Sequence, residues 1–294
     1  MLTHIDLFSG IGGFSLAAKW AGFKTIVFCE TDRFRQVLLQ KRFKARFFAD
    51  ADFKRLEGKV VSAGRPAELY RKPVLISDIR KFPGRAFRGA TVLTGGFPCQ
   101  PFSVAGKRLG KKDDRYLWEE MHRVIKEGRP RWVIGENVTG IISLALPEVL
   151  ADLENENYSV QVVVIPACAI GAPHRRDRVW IIAHSKNRGN SEAIKNTDSQ
   201  RRCGWGENLK QILGSQIPEA QAPRPNWSED WSKVAACLCG VDDGLPARVD
   251  GFELSRARHR VERLKALGEA IVPQIVYVFF SMIGQVEGEW NNEQ

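Results

Sequence analysis

Short apolar runs alternate with amphipathic segments along the first 183 residues. Residues 4–8 predict a buried strand, followed by a glycine-rich turn at 9–13 and a helix to about Ala21. A second strand is predicted at Thr25–Cys29, and a helix from Arg33 to about Phe48. Further apolar runs predict strands at Leu75–Ser77, Thr91–Thr94, Trp132–Gly135, Ser159–Pro166 and Val179–Ala183. Strands alternating with helices indicate an α/β fold, in which a mostly parallel sheet is covered by helices on both faces.

The pattern changes after Ala183. Residues 184–258 lose the periodicity and are rich in Asn, Ser, Gly, Pro and Gln, with three tryptophans among them. The segment from Ala257 to Ile283 is helical and apolar again, with an interruption at Pro273. We therefore expect residues 1–183 and 259–294 to form the main domain, and residues 184–258 to form a smaller region.

Composition and charge narrow the class of protein. The chain has no run of 18 apolar residues and no signal-type N-terminus, so we expect a cytoplasmic protein with no membrane span. The formal net charge of +10 is compatible with an anionic partner without identifying one. The six cysteines favour reduced thiols, and Cys203, Cys237 and Cys239 are followed by no histidine at zinc-ligand spacing. We expect a monomer without a metal.

Three predicted strands end in residues suited to a nucleoside. The first leads into Phe8-Ser9-Gly10-Ile11-Gly12-Gly13, where glycines allow a tight turn and the close approach of a ligand. Glu30 ends the second strand, where it could accept hydrogen bonds from ribose hydroxyls or simply cap the next helix. Asp78 ends the third and could accept from an adenine amino group. Because the carboxyl ends of parallel strands share one edge, together they favour a nucleoside ligand.

Three further blocks carry reactive or charged groups. Gly95–Ser103 follows the fourth strand and holds Cys99 between a proline and a glutamine, a rigid exposed position unlike that of a core thiol. Glu136-Asn137-Val138 ends the next strand, where its carboxyl group would face the same cleft. The segment 174–178, His-Arg-Arg-Asp-Arg, enters another strand with alternating arginines.

In this order, the blocks resemble the DNA cytosine-5 methyltransferase family. The resemblance covers 5–14, Glu30, 77–79, 95–103, 136–138, 172–183 and 263–276. It implies a Rossmann-like, S-adenosylmethionine-dependent methyltransferase domain, with residues 184–258 as a target-recognition region for double-stranded DNA. The cofactor contacts that it implies are Phe8, Ser9, Gly10, Gly12, Gly13, Glu30, Thr31, Asp78, Ile79, Pro98 and Ile271.

The resemblance also implies a mechanism. Cys99 would add to carbon 6 of a cytosine turned out of the duplex, and Glu136 would protonate ring nitrogen 3. Arg178, with Arg176 beside it, would hold the cytosine carbonyl oxygen, while Asn137 positions the loop. The implied catalytic set is Cys99, Gln100, Glu136, Asn137, Arg176 and Arg178, and the implied DNA contacts are Ser103, Lys107, Arg108, Lys111 and Lys112.

Two positions depart from the family pattern. Glu269 follows Gly268 where the family usually has asparagine, and a carboxylate there would lie near the carboxylate of the cofactor. His174 stands where glutamine is more common. Two other functions stay open: the same chemistry on transfer RNA, with which the short region 184–258 is compatible, and a catalytically silent DNA-binding homologue, for which Glu269 leaves room.

Overall fold

The computed structural model describes residues 1–48, 72–98, 116–172, 174–186 and 256–292. Within these residues, eight strands form one sheet in the order β3-β4-β2-β1-β5-β6-β8-β7. The strands are β1 (Thr3–Leu7), β2 (Lys24–Cys29), β3 (Arg46–Phe47), β4 (Val74–Ile76), β5 (Val92–Gly95), β6 (Trp132–Val138), β7 (Tyr158–Ile165) and β8 (Arg178–Ser185). The helices are α1 (Gly13–Trp20), α2 (Arg33–Phe43), α3 (Trp118–Gly128), α4 (Ile141–Leu144), α5 (Leu146–Asn155), α6 (Arg256–Glu269) and α7 (Pro273–Asn292).

The sheet is mostly parallel, as the sequence predicts. Strand β1 pairs in parallel with β2 on one side and β5 on the other, whereas β8 runs antiparallel between β6 and β7. The chain therefore continues from β1 to β2 on one side of β1 and later crosses to β5 on the other side. α/β sheets bind ligands at such a switch point, beyond the carboxyl ends of the strands.

Alternating strand residues divide the core into two faces. Ile5 and Leu7 pack with α3 and α5 on one face, in a cluster that includes Trp118 and Met121. The strand residues that face the other side of the sheet, such as Trp180 in β8, pack with α1 and α7. Both faces are apolar, which is why the buried strands read as nearly continuous hydrophobic runs in the sequence.

The C-terminal helix α7 covers part of the second face. Phe279 and Phe280 are buried there, and Glu287 is buried completely. The Glu287 carboxylate accepts a hydrogen bond of 3.0 Å from Trp132 Nε1 and pairs with Arg131, so the helix is tied to the start of β6.

Two predicted elements have other bounds in the structure. The helix predicted from Arg33 to Phe48 ends at Phe43, because Lys44 takes a left-handed conformation (φ 57°) and the chain continues as β3 beside β4. The strand predicted at Trp132–Gly135 extends to Val138, because β8 pairs with its whole length. Glu136 and Asn137 therefore lie inside the strand and not after it.

In the described part of the chain, no single helix has the length and apolar character needed to cross a membrane. Two helical segments that meet at a bend of 40°, Val261–Glu269 and Pro273–Gly288, reach those limits only when taken together.

Candidate active site

A cleft of about 840 Å³ lies beyond the carboxyl ends of β1, β2, β4 and β5 and along the last residues of β6. The turn between α6 and α7 forms another wall, through residues 268–270. The predicted site residues that line the cleft are Phe8, Gly10, Glu30, Thr31, Asp78, Ile79, Pro98, Glu136, Asn137, Arg176 and Arg178.

The glycine-rich turn owes its shape to left-handed backbone conformations. Phe8 has a φ of 52°, and Gly10 and Gly12 have φ values of 54° and 84°. Such a conformation is strained for phenylalanine, and it lies directly at the cleft. Ser9 stabilises the turn through two hydrogen bonds: its Oγ donates to the Asp6 carbonyl at 2.7 Å and accepts from Cys29 N–H at 3.1 Å.

Four of the predicted cofactor residues support the glycine-rich turn and do not line the cleft: Ser9, Gly12, Gly13 and Ile271. Ser9 is buried, and a Cβ on Gly12 would meet the Phe43 ring. A Cβ on Gly13 would lie 2.7 Å from Ile271, so these two residues pack directly against each other. Glycine is therefore required at 12 for the left-handed turn as well as for close packing, and at 13 for close packing with Ile271.

Glu30 is held in place by backbone hydrogen bonds. Its carboxylate accepts from Gly10 N–H at 2.7 Å and from Asp32 N–H at 2.8 Å. Burial raises the pKa of Glu30, and these hydrogen bonds oppose the rise. Each carboxylate oxygen has a second lone pair, so the oriented group can still accept from a ligand hydroxyl.

The segment after β4 is fixed by a residue on α3. Asp78 caps the short turn Ile79–Lys81, and its Oδ1 accepts from Arg80 N–H at 3.0 Å. Arg123 donates to the Ile79 carbonyl at 2.8 Å and to the Phe82 carbonyl at 3.1 Å. The position of Asp78 at the cleft thus depends on an arginine 45 residues further along the chain, which no sequence motif indicated.

Glu136 and Arg178 form an ion pair across the antiparallel strands β6 and β8. Arg178 Nε donates to Glu136 Oε1 at 2.8 Å, and the two side chains are 22% and 13% exposed. Burial raises the pKa of Glu136, while the charges of Arg178 and Arg176 oppose the rise. The site therefore holds a carboxyl group that keeps its proton to higher pH than an ordinary glutamate.

Asn137 fixes the segment that leads towards Cys99. Its Nδ2 donates to the Phe97 carbonyl at 3.0 Å, and its Oδ1 accepts from Val138 N–H at 2.9 Å. The side chain thus ties β6 to the backbone after β5, immediately before Pro98.

Arg176 binds the C-terminal turn. It has a φ of 38°, and its Nη2 donates to the carbonyl oxygens of Gly268 at 2.9 Å and Ala270 at 2.8 Å. Between them, Glu269 pairs with Arg35 of α2. Arg35 also lines the cleft, but it belongs to none of the sequence blocks described above, so no motif selects it.

The remaining predicted site residues lie outside the described part of the chain. They are Cys99, Gln100, Ser103, Lys107, Arg108, Lys111 and Lys112. Most of the predicted target-recognition region, residues 187–255, and its three cysteines also lie outside it. Among the described residues, no group of three or more His, Cys, Asp or Glu side chains could hold a metal ion.

Comparison with known proteins supports the family that the sequence blocks resemble. A family described as C-5 cytosine-specific DNA methylase matches residues 2–63 and 67–237. The type II methyltransferase M.PspPI of Psychrobacter is 33% identical over 185 residues, which are 60% of this chain and 38% of that protein. M.HhaI of Haemophilus parahaemolyticus is 30% identical over 186 residues, 62% of this chain and 48% of that protein. The chain thus spans about half the length of the curated relatives that it matches.

Solved structures support the fold. The crystal structure of S. pombe Dnmt2 methyltransferase aligns with a TM-score of 0.54 at 15% identity, covering 96% of this chain and 98% of that one. The Entamoeba histolytica methyltransferase EhMeth aligns over the same shares with a TM-score of 0.53 at 12% identity. The chain therefore has the Rossmann-like fold of S-adenosylmethionine-dependent methyltransferases.

Proposed function

Since this chain belongs to the C-5 cytosine-specific DNA methylase family, we propose that it transfers a methyl group from S-adenosylmethionine to carbon 5 of cytosine in double-stranded DNA. The observation that carries the proposal is the Glu136–Arg178 pair. Burial raises the pKa of its carboxyl group, which lies next to Gly96, three residues before Cys99 in the chain. A proton donor close to a nucleophilic cysteine is what addition to a cytosine ring requires.

The described residues fit a nucleoside cofactor at the other end of the cleft. The ends of β4, β2 and β1 supply Asp78, Glu30 and Gly10 in spatial sequence. The carboxylates of Asp78 and Glu30 are acceptors, and the adenine amino group and the ribose hydroxyls are donors, so the hydrogen-bonding groups are complementary. When bound, S-adenosylmethionine supplies an electrophilic methyl group. Phe8 and Pro98 add apolar contact area to the same cleft.

Carbon 5 of cytosine is a weak nucleophile, so the chain must first enrich it. In the proposed mechanism the Cys99 thiolate forms a bond to carbon 6, and the electrons of the 5,6 double bond move through the ring towards nitrogen 3. Glu136 donates its proton to that nitrogen, so no full negative charge accumulates on the ring. After methylation, a base removes the proton of carbon 5, the bond to Cys99 breaks, and Glu136 recovers its proton from nitrogen 3.

Arg178 has two roles in this proposal. Its Nε holds Glu136 in place, and an Nη atom donates to the Asp177 carbonyl at 2.9 Å. A guanidinium group has five N–H donors, so others can bind the carbonyl oxygen of the cytosine. Arg178 would thereby orient both Glu136, which is the proton donor, and the cytosine ring that receives the proton.

The target base is inside a duplex and must be turned out, at a cost of roughly a few kcal/mol. Basic residues after the cysteine, Lys107, Arg108, Lys111 and Lys112, would contact phosphates there. Residues 184–258 would read the bases, with their mixture of aromatic, polar and basic side chains.

The test is methylation of an unmodified plasmid by the purified full chain and S-adenosylmethionine, read base by base for 5-methylcytosine. We expect methyl groups at one recurring short sequence, and none with Cys99→Ser, which should still bind the cofactor. A parallel reaction on transfer RNA separates the two substrates. Methylation of transfer RNA alone, or undiminished activity of Cys99→Ser, would contradict the proposal.

A further inference from the structure

The turn between α6 and α7 is held at three points by two arginines. Arg176 binds the carbonyl oxygens of Gly268 and Ala270, and Arg35 of α2 pairs with the Glu269 carboxylate. The Arg35 side chain is only 14% exposed, whereas that of Glu269 is 54% exposed. A largely buried cation therefore holds an anion at the position where the family usually has asparagine.

The fold places this turn at the middle of the cleft, between its two ends. Sheet order brings the end of β4, with Asp78, beside that of β2, with Glu30, and then β1, β5 and β6, with Glu136. The turn lies over the glycine-rich segment after β1, because Ala266 packs with Ile11, and Ile271 lies against Gly13. It therefore stands between the nucleoside side and the Glu136 side. The amino-acid end of the cofactor, which is neither the nucleoside nor the reacting methyl group, would face it.

Charge explains why Glu269 can occupy this position. The amino-acid end of S-adenosylmethionine carries a carboxylate, which an unpaired Glu269 would repel. Arg35 cancels the charge of Glu269 and fixes its side chain. Burial acts against the charge of Arg35, but the hydrogen bond that Arg35 donates to Glu269 and the negative charges of Glu30, Glu269 and Asp32 more than offset it, so the pKa of Arg35 is raised.

Resting on the function proposed above, we propose that Arg35 and Glu269 form a charge-matched clasp that positions the 268–270 turn against the amino-acid end of S-adenosylmethionine. Both are positioning residues. The loss of the clasp frees the turn, and the loss of Arg35 alone also leaves the Glu269 charge uncancelled. The two substitutions should therefore have unequal and non-additive effects.

The experiment is calorimetric titration of the full chain with two unreactive probes. S-adenosylhomocysteine carries the amino-acid end, whereas 5′-methylthioadenosine lacks it. For S-adenosylhomocysteine we expect Kd to rise about threefold in Glu269→Ala and about tenfold in Arg35→Met, a partly exposed ion pair having a modest effect. The double variant should return to about threefold, because it contains no uncancelled carboxylate. Binding of 5′-methylthioadenosine should not change in Glu269→Ala, which leaves Glu30 and the Arg35 charge near it in place.

Glu262→Ala is the matched control, because it removes an acidic side chain from the same helix at a position that does not line the cleft. Unchanged binding of S-adenosylhomocysteine in Glu269→Ala would overturn the clasp, as would equal losses for the two probes in that variant. Tighter binding by Glu269→Ala would also overturn it, because Arg35 would then bind the cofactor carboxylate directly. If the wild type binds neither probe, the proposed function fails instead. Glu269 is half exposed, so Glu269→Ala decides the question even if Arg35→Met does not fold.

Discussion

Replacement of Glu136 by glutamine tests the proton-donor role directly. Glutamine keeps the size of the side chain and an oxygen that can accept from Arg178 Nε, now 2.8 Å from the carboxylate. Its amide can donate a hydrogen bond to ring nitrogen 3 but cannot give up a proton. The substitution therefore removes proton transfer while it leaves the packing of β6 and β8 in place.

The size of the effect follows from that distinction. General acid catalysis contributes about 10²-fold to 10⁴-fold to a rate. Because the glutamine amide still donates a hydrogen bond, we expect a loss near the lower limit, about 100-fold in methyl transfer. This corresponds to about 2.7 kcal/mol in the activation free energy. The affinity for S-adenosylhomocysteine should not change, since Glu136 lies at the other end of the cleft from Glu30 and Asp78.

The assay is single-turnover methylation of a duplex containing the recognised sequence, measured across pH. Burial raises the pKa of Glu136, so the wild-type acid stays protonated to higher pH than an ordinary carboxyl group, and the rate falls as pH rises through that pKa. The Gln variant should lose this falling limb and keep only the rising limb from ionisation of the Cys99 thiol. A rate within about threefold of wild type, or a retained falling limb, would refute the proton-donor role.

Three further substitutions test the packing around the site. Gly96→Ala places a Cβ 3.0 Å from Glu136 Oε2 and should slow methylation about tenfold by displacing the carboxyl group. Gly284→Ala in α7 is the control, because its Cβ would lie 3.6 Å from the Phe23 ring, an ordinary contact, and Gly284 does not line the cleft. Equal rates for the two variants would contradict the displacement of Glu136. Glu287→Ala breaks a buried ion pair and should lower the free energy of unfolding by about 3 kcal/mol in denaturant titrations, and a loss under about 1 kcal/mol would be inconsistent with that role. Burial raises the pKa of Asp6 to about 8, so the folded state holds a proton that the unfolded state releases near its ordinary pKa, and stability should fall as pH rises towards 8. Asp6→Asn should remove this fall in thermal unfolding, and an unchanged pH dependence would show that Asp6 is not its source.

The sequence by itself determined the features that depend on neighbouring residues. Apolar runs located the strands, because a strand buried on both faces has few polar positions. The glycines after β1 marked a turn that needs left-handed conformations, and the structure has them at Gly10 and Gly12. Glu30 and Asp78 could be placed at one edge because parallel strands end together. The order of the blocks was enough to indicate the family.

Element boundaries depended on contacts that local periodicity does not contain. The end of α2 at Phe43 follows from Lys44 turning the chain back into the sheet, and nothing in the Arg33–Phe48 pattern marks it. Similarly, β6 reaches Val138 only because β8, 40 residues later in the chain, pairs with it there.

Only the tertiary structure decided which charges meet. Glu136 pairs with Arg178, Arg176 binds the 268–270 turn, and Arg35 pairs with Glu269, which is 234 residues away in sequence. Glu269 was visible in the sequence as a departure from the family, but its compensation by Arg35 was not. Electrostatic partners and burial are set by distances in space, and a carboxyl group acquires its pKa from both. The chemistry of the cleft therefore depends on packing that brings distant segments together, whereas the fold class was already present in the local pattern.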